Sequence, residues 1–249
     1  MEWMDIILII AIGFFAGFIN TLAGSGSLLT LPLLIFMGLP ANVANGTNRI
    51  AILLQNVVGV SSFKHQKVFD FKEGIWLALP AVLGSVVGAQ LAVDIDEAMM
   101  KKFIGGLLIF MFFFILMKPS RWLNSSEKVQ AKPGLWQIII FFFIGMYGGF
   151  IQAGVGFFLL AGLVLGAGFD LVKANAVKVF IVLVYTAFAL MVFIMNDQVN
   201  YTVGLVLAVG NMAGAFVAAR YAVRLGAKFV RYILLATLVV ASAKMFGLF

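Results

Sequence analysis

The sequence predicts an all-α polytopic membrane protein. It is built as two inverted repeats of about five membrane segments each, with a short, discontinuous helix after a glycine-rich loop in each half. Three observations lead there. The chain of 249 residues is 63% hydrophobic and 11% charged, more apolar surface than a soluble domain of that size can hide, and apolar runs near bilayer length recur along it. Most of the chain matches itself at one fixed offset. Its cations fall mainly on one side of the segments so defined. The ten-residue alternation of a membrane β-barrel is absent.

Composition closes off several classes. There is no cysteine, which excludes disulfides, thiolate metal sites, iron–sulfur clusters and thiol catalysis, and no cofactor is expected. The single histidine, His65, stands in "KHQK" beside lysines and reads as a solvated loop residue. Asp70, Glu73, Asp94, Asp96, Glu97 and Asp197 also read as loop residues, so nothing supplies the positioned acid and base of an enzyme. The net charge of +7 sits in short loops, the signature of membrane topology and not of a nucleic-acid partner. The opening "MEWMDIILII" carries acids and no basic n-region, so it is expected to be the first membrane helix.

The repeat shows at a shift of 130 residues. Gly24 falls on Gly154, Gly26 on Gly156, Gly38 on Gly168 and Ala44-Asn45 on Ala174-Asn175. Further on, Phe63 falls on Phe193, Gly74 on Gly204, Leu77-Ala78 on Leu207-Ala208 and Gly84 on Gly214. Before the glycine loop the shift is 132, where Gly17-Phe18-Ile19 matches Gly149-Phe150-Ile151. Such duplication is characteristic of membrane carriers. The predicted units are residues 1–119, a cytoplasmic linker 120–132 within the polar "KPSRWLNSSEKVQAKPG", and residues 133–249.

The segments follow in order. In the first half they lie at about 4–20, 27–38, 43–63, 73–93 and 99–117, and in the second at about 135–152, 157–168, 173–194, 203–219 and 229–247. The second of each five is too short to span ~30 Å of hydrocarbon at ~1.5 Å per residue. If it nevertheless crosses, the 17 cations divide 13 to 4 between the two sides, against 9 to 8 if it turns back. The stronger bias favours ten segments with both termini outside. Five crossings per half is odd, so the two halves must be inverted relative to each other.

Irregular backbone at membrane depth survives only when buried in protein or lining a watery cavity. The loop Gly24–Ser27 leads into the N-terminus of the first short helix. Free N–H groups and the positive end of the helix dipole make that end a place for an anion. Ser25, Ser27 and Thr30 add hydroxyls, and Asn20 precedes the loop. Its mate, "QAGVGFF", offers Gln152, Gly154 and Gly156 with fewer hydroxyls. The competing reading for Gly24 and Gly26 is close helix packing, as for the pairs Gly13/Gly17, Gly84/Gly88, Gly145/Gly149, Gly162/Gly166 and Gly210/Gly214.

The next motifs are "ANGTNR" and "ANAVK". Helical spacing puts Asn45, Asn48, Arg49, Ile52 and Asn56 on one face, and Asn175, Lys178, Val182 and Tyr185 on another. A cation at membrane depth costs roughly 2.5–3.5 kcal/mol on insertion scales. Nothing in 40–63 or 171–194 supplies an obvious acidic partner for Arg49 or Lys178 except Asp170, at the edge, which invites an anionic ligand. The competing reading is an interfacial cation that snorkels to headgroups.

The run "GFINTLAGSGSLLTLPLLIFMGLPANVANGTNR" resembles the first-repeat signature of the sulfite exporter TauE/SafE family. It has Gly17-Phe18-Ile19, Gly24, Gly26, Pro32, Gly38-Leu39-Pro40 and Gly46-Thr47-Asn48-Arg49. Ser25 and Ser27 stand where glycine is common in that family, and Arg49 where lysine is usual. "GGFIQAGVGFFLL" through "DLVKANAVKVF" resembles its second repeat. The resemblance implies a multi-pass transporter of small anions in a bacterial-type inner membrane, chiefly of sulfite and organosulfur compounds such as sulfonates. An anion channel and a carboxylate transporter are the alternatives. The expected substrate-binding set is Asn20, Gly24, Ser25, Gly26, Ser27, Asn45, Asn48, Arg49, Gln152, Gly154, Gly156, Asn175 and Lys178.

Overall fold

The computed structural model describes residues 3–68, 71–116, 134–169 and 171–220. The linker 120–132 and the last expected segment, 229–247, lie outside them. The described residues are all-helical, with no strand. The helices are α1 Trp3–Ala23, α2 Ser27–Phe36, α3 Ala41–His65, α4 Phe71–Asp94, α5 Glu97–Leu116, α6 Leu135–Phe150, α7 Val155–Ala161, α8 Leu171–Met195 and α9 Tyr201–Arg220. A π-helical turn, Gly162–Gly166, continues α7.

Among the described residues four helices are long and apolar enough to cross a bilayer: Trp3–Ala23, Gly74–Asp94, Val172–Met195 and Tyr201–Arg220. Their outward faces carry exposed Leu79, Leu83, Phe188, Leu205 and Phe216, which suits lipid and not water. Exposed Trp3 and Trp136 stand at the starts of α1 and α6, where amphipathic rings sit well at a membrane interface. Helix α3 has 25 residues, enough to span, but buries Asn45, Asn48, Arg49, Gln55 and Asn56. Polar groups inside a membrane protein face inward, so α3 belongs to the interior.

Local backbone repeats along the chain. Every described residue with left-handed φ belongs to a pair spaced by 130: Gly24 and Gly154, Gly38 and Gly168, Lys67 and Asp197. Helices α3 and α8 start at 41 and 171 and both run 25 residues. Helices α4 and α9 start at 71 and 201.

Glycines bring helices of different halves into contact. Cβ atoms at Gly13 and Gly17 of α1 would strike the backbone at Leu207 and Asn211 of α9, and those at Gly210 and Gly214 would strike α1. In the same way Gly84 and Gly88 of α4 meet Phe142 and Met146 of α6, and Gly145 and Gly149 meet Ala81 and Ser85. These pairs let backbones touch, as small residues do between membrane helices. The Gly162/Gly166 pair does not: Gly162 faces the ring of Phe141, and a Cβ on Gly166 would meet nothing within 4 Å. That pair sits in the π-helical turn, where the i,i+4 ridge of an α-helix is lost.

Candidate functional site

The site grows from two places where a helix breaks. At the end of α1, Gly24 adopts φ +76°, a conformation glycine enters without a Cβ penalty. Its N–H returns to the carbonyl of Asn20 at 2.7 Å. Asn20 then spans the break. Its side-chain oxygen accepts from the N–H of Gly26 at 3.3 Å, and its Nδ2 donates to Gln55 Oε1 at 3.2 Å. Gln55 Oε1 also accepts from Asn211 Nδ2 on α9 at 3.3 Å.

The cation at this break comes from the other half of the chain. Lys178 of α8, 1% exposed, donates from Nζ to the carbonyls of Asn20 and Thr21, both at 3.1 Å. Helix C-terminal carbonyls lack intrahelical donors and carry the negative end of the dipole, so an ammonium suits them.

The break after α6 is capped the same way from the opposite direction. The last four carbonyls of a helix need partners, and here all four have one. Tyr147 O accepts from the N–H of Ile151 at 2.9 Å. Gly148 O accepts from Arg49 Nη1 at 3.1 Å, and Gly149 O from Arg49 Nη2 at 2.5 Å. Phe150 O accepts from Asn45 Nδ2 at 2.7 Å. Arg49 is fully buried. Its Nη1 also reaches Gln152 Oε1 at 3.5 Å and its Nη2 Asn45 Oδ1 at 3.4 Å, and its guanidinium lies 4.6 Å from the centre of the Phe193 ring. Neither cation pairs with a carboxylate among the described residues, and Asp170 lies outside them; each donates to backbone oxygens of the opposite half.

The two loops meet. The N–H of Gly156 donates to the carbonyl of Gly24 at 3.0 Å. Around them the polar side chains form local sets. Thr30 Oγ1 donates to Asn48 Oδ1 at 2.7 Å, and Asn48 Nδ2 donates to Ser27 Oγ at 3.1 Å. Gln152 Nε2 donates to Thr186 Oγ1 at 2.8 Å and to Tyr185 OH at 3.5 Å. The OH of Tyr147 donates to the carbonyl of Ala153 at 2.5 Å.

Some buried groups remain unspent. Thr21 Oγ1, Ser25 Oγ, Arg49 Nε, Asn175 Oδ1 and Asn211 Oδ1 have no hydrogen-bond partner. Thr21 and Ser25 are fully buried and lie on the last turn of α1 and in the loop that follows.

All thirteen expected site residues are therefore interior or on the loops, and most join one of these sets. Asn20, Gly24 and Gly26 share the first break. Asn45, Arg49 and Gln152 share the second. Ser27 and Asn48 tie α2 to α3, and Gly156 joins the loops. Gly154 adopts φ +75° against the side chain of Met111. The partners of Arg49 and Lys178 were missed, as were Thr21, Gln55, Tyr147, Thr186 and Asn211. A signal existed for Gln55, which lies seven residues beyond Asn48 on the same face of α3.

Long apolar helices, broken helices and cations held at buried helix ends define a polytopic helical membrane protein. The model of the sulfite exporter TauE/SafE family matches residues 9–245, and the chain belongs to that family. It is 31% identical over 221 residues to a probable membrane transporter protein, ORF9, of Sinorhizobium sp., covering 89% of this chain and 84% of that one. It is 28% identical to a probable membrane transporter protein of Haemophilus influenzae, over 96% of this chain and 93% of the relative. It is also 28% identical to the probable membrane transporter protein YfcA of Escherichia coli K12, over 92% and 85%. No solved structure matches.

Proposed function

We propose that this protein is a secondary carrier that moves a small anion, sulfite or an organosulfur compound such as a sulfonate, by alternating access in a bacterial inner membrane. One observation carries the reading. At the junction of the broken helix, the Ser25 and Thr21 hydroxyls are buried without partners, beside the N-terminus of α2 and within the last turn that Lys178 caps. A buried hydroxyl without a partner is costly. A ligand oxygen accepting from these donors removes the cost, and the adjacent helix N-terminus and cation favour that ligand as an anion. Of the expected binding set, Asn20, Gly24, Ser25, Gly26, Ser27 and Lys178 belong to this break and support the reading.

The architecture proposed with it is two inverted repeats of five segments, both termini periplasmic. The 130-residue spacing of left-handed residues and helix starts supports the duplication. With Arg49 and Lys178 set aside as interior, the cations still divide 12 to 3 between the two sides. Direction of transport follows the gradients and not the fold.

A thermal-shift screen of the purified protein tests the reading. Sulfite, thiosulfate, sulfoacetate, taurine, sulfate and small carboxylates are added in turn; a ligand that binds the native state raises the melting temperature. Stabilisation by the sulfur oxyanions is the expected result. Stabilisation by carboxylates alone makes it a carboxylate carrier, and none by any anion removes the reading. Saturable counterflow in proteoliposomes separates a carrier from a channel, which conducts without it.

A further inference from the structure

The two buried cations are placed reciprocally. Arg49 of α3, in the first half, holds the end of α6 in the second. Lys178 of α8, in the second half, holds the end of α1 in the first. Each bond joins an unbroken helix of one half to a broken helix of the other. Carbonyls at membrane depth cannot be left bare, since each unsatisfied group costs several kcal/mol. A cap can therefore be released only when another donor arrives, and the donor that arrives with opening is water. Release of a cap and entry of water from one side are then the same event.

We propose that Arg49 and Lys178 are the two latches of the carrier: positioning residues that each keep one face closed by capping the broken helix of the opposite half. Resting on the alternating-access reading above, the proposal assigns the Arg49 latch to the periplasmic side and the Lys178 latch to the cytoplasmic side. This follows from the expected direction of the helices. Helix α6 runs outward to the carbonyls that Arg49 holds, and α1 runs inward to those that Lys178 holds. The latches are unequal. Arg49 uses a two-pronged fork on neighbouring carbonyls, is backed by Asn45 on Phe150 and sits over Phe193, whereas Lys178 brings a point charge. The Arg49 latch is the firmer of the two.

The absence of cysteine makes the test direct. Ala23→Cys and Ala153→Cys, both buried alanines at the two breaks and 130 residues apart, serve as single reporters. They are labelled with a membrane-impermeant maleimide in right-side-out and inside-out vesicles. Because the two loops touch, both reporters flank one junction, so Arg49→Gln should raise labelling of either reporter several-fold from the periplasmic face only. Lys178→Gln should do so from the cytoplasmic face only. Arg49→Lys should give intermediate labelling, because one ammonium replaces one prong. Folded variants whose labelling equals wild type overturn the latches. A single variant that admits reagent from both faces at once overturns alternating access instead, since a continuous pore has opened. Should Arg49→Gln not fold, Arg49→Lys decides alone: labelling of Ala153→Cys at the wild-type level overturns the proposal.

Discussion

The carbonyl of Gly24 accepts a hydrogen bond from the N–H of Gly156 at 3.0 Å, and a Cβ on either residue would land on the other's backbone. The glycine loops of the two halves thus touch directly. Their glycines serve the packing of this junction as well as the conformation of each loop. A valine at Gly24 is consequently no clean probe of ligand binding, because the clash disturbs the junction itself.

Gly38 provides the control. It has φ +92°, close in kind to Gly24 at +76°, but a Cβ there meets nothing within 4 Å. Gly38→Ala should cost only the left-handed strain, of order 1–3 kcal/mol. Gly24→Ala carries a similar strain plus a backbone collision, so its melting temperature in detergent should fall further. Equal melting temperatures for the two variants would contradict the direct loop contact.

The caps make a second stability prediction. Arg49→Gln leaves the carbonyls of Gly148 and Gly149 without their donors, at about 1–3 kcal/mol for each buried group left unpaired. Lys178→Gln should cost less, because the Asn20 carbonyl keeps the Gly24 N–H. Thermal unfolding of both variants checks the order. Two variants as stable as wild type would show that the helix ends do not depend on these cations.

The two cations also show where the sequence stops being legible. Helical spacing put Asn45, Asn48 and Arg49 on one face of α3, and that face is buried. Residue types cannot reveal that the partners of Arg49 are backbone oxygens about a hundred positions away. With no side-chain carboxylate evident for either cation except Asp170 at the edge, residue types alone point to a ligand. Duplication, by contrast, is written in one-dimensional spacing, so the matches at 130 foreshadowed the left-handed pairs. The pairing of Lys67 with Asp197 was not legible, since neither residue type announces a left-handed turn.

Inversion of the repeats has its own test at equivalent positions. His65 and Met195 end α3 and α8, and both are exposed. If the halves are inverted, an odd number of crossings separates them. An impermeant maleimide should then label His65→Cys only from the cytoplasmic face and Met195→Cys only from the periplasmic face. Labelling of both from the same side means parallel repeats, and the five-segment count would have to change.

Two serines in the first loop separate binding from stability. Ser27 Oγ accepts from Asn48 Nδ2, while Ser25 Oγ has no partner. Ser27→Ala strands the buried Asn48 amide and should lower stability without ligand by about 1–3 kcal/mol, the cost of leaving a buried donor unpaired. Ser25→Ala removes an unsatisfied buried hydroxyl, so the ligand-free protein should melt at or above the wild-type temperature. If that hydroxyl is kept for an anion, its loss removes a hydrogen bond to a charged group, about 1.5–3 kcal/mol. Affinity should then fall roughly ten- to hundred-fold. The measurement is the thermal shift of each variant across a titration of whichever oxyanion stabilises the wild type. A Ser25→Ala protein that responds to that anion like wild type would take this hydroxyl out of the site, and the unspent donors of α1 and the first loop would need another explanation.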